Sequence, residues 1–76
     1  MIRLEFRNDI VEMSISVNIE ISKEVCKVVD EYIYKDMFGM SIKNGICYIR
    51  IKFDRDLVSI GEIGKLILEI EDIINK

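Results

Sequence analysis

The chain contains no histidine, tryptophan, proline, alanine or threonine. Without histidine, most general-base chemistry at neutral pH and most zinc coordination are removed at once. Cysteine is scarce: Cys26 and Cys47 stand far apart among apolar neighbours and form no C-x-x-C. Two such residues make neither a disulfide framework nor a zinc site, and both read as small buried hydrophobes in a reducing compartment. No apolar run approaches the roughly 20 residues needed to cross a bilayer. Met1 to Phe6 alternates in residue type, with no basic leader and apolar block, so the expectation is no signal peptide and a cytoplasmic protein. No glycine-rich loop follows a strand and opens a helix, which excludes phosphate cradles of the G-x-G-x-x-G or P-loop kind.

What remains is globular in composition. The 76 residues are half hydrophobic and one third charged, with 11 Lys+Arg against 14 Asp+Glu for a net charge of −3. Isoleucine alone fills 16 positions. That length accommodates a single domain spanning 1–76, and the chain shows no linker or low-complexity stretch.

Period-two alternation appears first. Ile2, Leu4 and Phe6 face one way, then Val11, Met13, Ile15, Val17, Ile19 and Ile21 do so with polar residues between them. Asn8-Asp9 between these runs predicts a hairpin turn, both residues tolerating positive φ. The period then lengthens to that of a helix. Ser22 as N-cap precedes Val25, Val28, Val29, Tyr32 and Ile33, and the helix is predicted to run to Phe38-Gly39. Lys27 with Glu31, and Glu31 with Lys35, would be i, i+4 pairs on its outer side.

Met40 and Ile42 lead into Asn44-Gly45, the strongest two-residue hairpin signal. Cys47, Ile49, Ile51 and Phe53 return on the inner face, with Tyr48, Arg50 and Lys52 outside. Ser59 and Glu62 form an S-x-x-E capping box ahead of a last helix striped with Ile63, Leu66, Ile67, Ile70, Ile73 and Ile74. The predicted order is ββαββα. The predicted fold is an α+β two-layer sandwich, a mainly antiparallel four-stranded sheet with both helices on one face.

Three features exceed what a closed monomer requires. With Asn8-Asp9 as the turn, Met1 pairs with Ser16, so Val17, Ile19 and Ile21 extend an apolar face past their hairpin mate. A bare apolar edge of that length aggregates unless another strand or another chain covers it. Gly61 and Gly64 sit in the last helix, each costing about 1 kcal/mol relative to alanine at an interior site. They fall outside its isoleucine stripe, on the side of Leu68. Tyr34 and Phe38 lie off the Val25/Val29/Ile33 stripe, where exposed aromatics make good interface anchors. These eight residues are the candidate interaction set.

Catalytic candidates are thin. The serines have no histidine partner, and Cys47 is the remaining possible nucleophile. Asp54 and Asp56 flank Arg55 after a strand, but their spacing implies no third acidic ligand and lacks the register of a calcium loop. Gly61-Glu62-Ile63-Gly64 matches the KH-type G-x-x-G by letter only, since it follows a capping serine and carries a glutamate. Glu69, Glu71 and Asp72 put negative charge at a helix C-terminus, against the dipole. No cofactor, no metal and no enzymatic activity are expected.

Two functions stay open. One is a non-enzymatic interaction protein, an inhibitor, adaptor or regulatory subunit binding a protein partner and forming a homodimer. Abundant isoleucine and lysine without alanine suggests an A+T-rich genome. In size and acidity the chain is similar to phage-encoded inhibitors of host machinery, anti-CRISPR proteins included. The alternative is a nucleic-acid binder using Arg3, Arg50, Lys52 and Tyr48 on the outer sheet face. Against it stand Glu5, Glu12 and Glu20 on that face, a single aromatic for stacking, and a sequence pI near 4.9.

Overall fold

The computed structural model describes residues 1–31 and 35–76. Its elements are β1 (Ile2–Phe6), β2 (Ile10–Asn18), α1 (Ile19–Asp30), β3 (Lys35–Lys43), β4 (Ile46–Asp54) and α2 (Ile60–Ile74). All three strand pairings are antiparallel and the sheet order is β1-β2-β4-β3, so β2 and β4 are central while β1 and β3 form the edges. Both helices cover one face, giving the two-layer α+β sandwich in the order ββαββα that the alternation and periodicity predict.

The hairpins follow their sequence signals. β1 meets β2 in the register set by a turn at Asn8-Asp9, with Arg3 opposite Ser14. That turn uses no positive φ. It is tied down instead from the β4–α2 connection: the Arg55 backbone N–H donates to Asp9 O at 2.9 Å and its guanidinium to Arg7 O at 2.8 Å. The β3–β4 turn does use positive φ, 53° at Asn44 and 77° at Gly45, the primed geometry that matches strand twist. At α2, Ser59 Oγ accepts the Glu62 N–H at 3.2 Å and the Ser59 N–H donates back to the Glu62 carboxylate, completing the capping box.

The first helix departs from expectation at both ends. β2 stops at Asn18, and Ile19 already begins α1, its N–H donating to Gly45 O at 3.0 Å. Ile19 and Ile21 satisfy period two by coincidence. Ile21 also stands four before Val25 and seven before Val28, and the helical stripe wins because it buries those residues against the sheet. Asn18, not Ser22, is the N-cap residue; Ser22 lies within the helix and its hydroxyl donates to Ile19 O at 2.7 Å. The helix closes at Asp30, where the Glu31 N–H donates to the carbonyls of Val28 and Val29. Phe38 and Gly39 therefore belong to a strand rather than a helix end, Gly39 lying opposite Arg50. With the helix ended at Asp30, the expected Glu31–Lys35 pair has no helix to sit on.

The core joins the inner faces of β2 and β4 to the stripes of both helices. Phe53, Met13, Ile15, Ile49, Ile51, Leu66 and Ile70 are its largest fully buried side chains. Each contributes roughly 1.5–3 kcal/mol on transfer from water. Cys47 is sealed within it, while Cys26 on α1 is half-buried; both are free thiols. Among the described residues no helix is long and apolar enough to cross a membrane.

Candidate functional site

Two helices do not cover four strands evenly. α1 packs over β2 and β4, and α2 lies beside it toward β1, where Ile67 and Ile74 face Ile2 and Leu4 across a groove. The core-side face of β3 is left largely uncovered. Strand pairing fixes which residues these are: Phe38, Met40 and Ile42 lie opposite Ile51, Ile49 and Cys47, and so share the core side of the sheet. Yet Phe38 is 37% exposed, Met40 53% and Ile42 55%, while their three neighbours on β4 are 1% exposed or less. One wall of this apolar shelf is α1. Cys26 Sγ approaches Met40 Sδ at 3.6 Å, and Ile19, exposed at the start of α1, is tied to the turn beyond Ile42 by its hydrogen bond to Gly45.

Among the described residues no strand pairs with the backbone along this edge either. The Arg7 N–H donates to Ile10 O and the Ser16 N–H to Met1 O, both at 2.9 Å. Even-numbered residues of β2 therefore bond to β1 and odd-numbered ones to β4. Carried across the antiparallel ladder, the alternation directs Cys47, Ile49 and Ile51 toward β2, and Ile46, Tyr48 and Arg50 toward β3. Lys43, Ser41 and Gly39 bond back to β4. Phe38, Met40 and Ile42 turn their N–H and C=O outward, so the residues with uncovered side chains are also those with a free edge.

The eight residues singled out in the sequence separate into distinct places. Val17 is buried, paired with Cys47 of β4, and Ile21 packs against the core from α1. The surplus strand that period two predicts over Val17, Ile19 and Ile21 does not form: β4 pairs β2 as far as Asn18, and the remainder is helix. Ile19 and Phe38 lie on the exposed α1–β3 side, joined there by Met40 and Ile42. Those two read as inner-face residues in the sequence, since strand order alone makes β3 an edge. Gly61, Gly64 and Leu68 occupy the outer flank of α2, beside exposed Leu57 and Ile60. Among the described residues a Cβ at Gly64 would meet nothing within 4 Å, so none of them requires a glycine there. Tyr34 lies outside the described residues.

The opposite, open face of the sheet gathers Arg3, Tyr48 and Arg50 around a shallow depression floored by Ser14, Ser16 and Gly39. Lys52 is not part of its lining. Glu12, almost buried between the cations, lies 3.9 Å from both Arg50 Nε and Lys52 Nζ, so the face holds its own counter-charge.

Burial foremost, then Cys47 and Asp30, pushes the Cys26 thiol up from its ordinary range, which disfavours the nucleophilic thiolate. Cys47 is fully buried and out of a substrate's reach. Among the described residues no three His, Cys, Asp or Glu side chains cluster closely enough to hold a metal. No protein-family model, curated protein or solved structure matches the chain.

Proposed function

We propose that this chain is a non-enzymatic interaction protein, an inhibitor, adaptor or regulatory subunit that works by protein–protein binding and forms a homodimer. The working surface is the apolar shelf where β3 meets α1. One observation carries the reading. Met40 and Ile49 are cross-strand neighbours on the same face, yet Ile49 is sealed in the core and Met40 stands half in solvent. Three large apolar side chains in a row beside an unpaired backbone edge are a template for strand addition. Small size and acidity, shared with phage-encoded inhibitors of host machinery, fit this class.

Nucleic-acid binding on the open face has weaker support. Arg3, Tyr48 and Arg50 do line one depression, but Glu12 draws Arg50 and Lys52 to itself. A net charge of −3 adds no general attraction for phosphate.

Molar mass in solution tests the proposal. In a light-scattering dilution series the mass should rise from 8.9 kDa toward twice that value as concentration increases. Met40→Lys should hold the chain at 8.9 kDa over the same range with its circular dichroism unchanged. A wild-type chain that stays monomeric into the millimolar range would remove the homodimer.

A further inference from the structure

We infer that the partner strand is β3 of a second copy, paired antiparallel about a two-fold axis at Met40, so that two four-stranded sheets become one continuous sheet. This rests on the interaction reading above and adds its register.

Only Phe38, Met40 and Ile42 have outward backbone groups in the regular part of the strand, so a hydrogen-bonded pairing must oppose members of this set. With the axis at Met40, Met40 faces Met40 of the second copy, and Phe38 faces Ile42 in both directions. Each opposed pair exchanges two hydrogen bonds, about six in all. All three pairs are apolar on the helix side, and directly opposed apolar side chains are the unit of sheet stabilisation.

Neighbouring registers do worse. Moving the axis to Ser41 sets Phe38 against Asn44 of the turn. Moving it to Gly39 runs Ile42 into the irregular stretch between Lys35 and Met37. The open face agrees with the axis at Met40, because Gly39 then opposes Ser41, two small residues that let the strands close. Lys43 opposes Met37, and no like charges confront each other.

The area sets the strength. Taking about 150–250 Å² for a large side chain, the exposed fractions of Phe38, Met40 and Ile42 leave roughly 300 Å² per chain. The strand edge and Ile19 add to this, yet the total stays below the ~1,200 Å² lower bound for stable interfaces. The dimer is therefore a reversible one with a dissociation constant in the micromolar range or weaker, tuned by concentration.

Disulfide trapping reads the register directly. Gly39 and Ser41 of opposed strands would lie in a non-hydrogen-bonded pair with Cα atoms about 4.5 Å apart, within disulfide reach. Gly39 has open space where a Cβ would be placed and Ser41 is exposed, so both positions accept cysteine. In a Cys26→Ser background, Gly39→Cys and Ser41→Cys should each stay uncross-linked alone. Mixed under mild oxidation, they should yield covalent dimer at least tenfold more abundantly.

Cross-linking of Gly39→Cys alone, or of Ser41→Cys alone, would show a slipped register and overturn the axis at Met40. No cross-link in any arm, with light scattering still showing dimer, would place the interface elsewhere and leave the interaction reading standing. A monomer by light scattering at every concentration would overturn this pairing together with the homodimer, and would leave only binding to a different protein. Met37→Cys mixed with Lys43→Cys repeats the test one pair further out, should either first variant fold poorly.

Discussion

The two edges of this sheet face the same problem and meet it differently. β1 spans five residues, carries Arg3 and Glu5 on the open side, and on the core side sets Ile2 and Leu4 partly under α2. Only Phe6, at the strand's end, stands half exposed. β3 spans nine residues, and α1 covers its core-side Phe38, Met40 and Ile42 only in part, reaching Met40 through Cys26 at 3.6 Å. Short, charged edges roofed by a helix resist pairing, whereas long apolar ones invite it. The difference is one of placement: the helices are offset toward β1, and β3 is left as the less covered edge, on which the proposed association rests.

The largest effect expected from this contrast lies across the β4–β3 ladder. Ile49→Ala should cost about 2–5 kcal/mol, the range for truncating a buried isoleucine. Met40→Ala, directly opposite, should cost less than about 1 kcal/mol because it leaves no enclosed cavity. Urea unfolding at low, monomeric concentration separates the two. Equal losses would mean that β3 belongs to the core as fully as β4 does.

A smaller effect sharpens the comparison with α2. Gly64→Ala should raise stability by up to about 1 kcal/mol, the helix propensity difference, since its Cβ would meet nothing. Association should be unchanged, and Gly64→Leu should leave it unchanged too. Loss of dimer in either variant would move the interface from the β3 edge to the flank of α2.

Much of this fold was legible before the structure. The Asn44-Gly45 turn, the β1–β2 register and the Ser59–Glu62 box are local signals. Each is set by backbone chemistry that distant contacts do not override. The limits of α1 were not legible, because Ile19 and Ile21 satisfy two periods at once and only burial against the sheet decides between them. The first half of β3 was hidden for a related reason. Gly39 resembled a helix stop, and alternation is visible only at Met40 and Ile42. Of the proposed association surface the sequence picks out only Ile19 and Phe38, because membership of an edge depends on strand order. That order, β1-β2-β4-β3, arises from contacts far apart in sequence.

Amide hydrogen exchange as a function of protein concentration tests the central claim most directly. The outward N–H groups of Phe38, Met40 and Ile42 should be poorly protected in dilute solution and gain protection at least tenfold as concentration rises. Those of Ile2, Leu4 and Phe6, outward on β1 by the same alternation, should not change. Protection that grows on β1 instead, or on neither edge, would contradict the account.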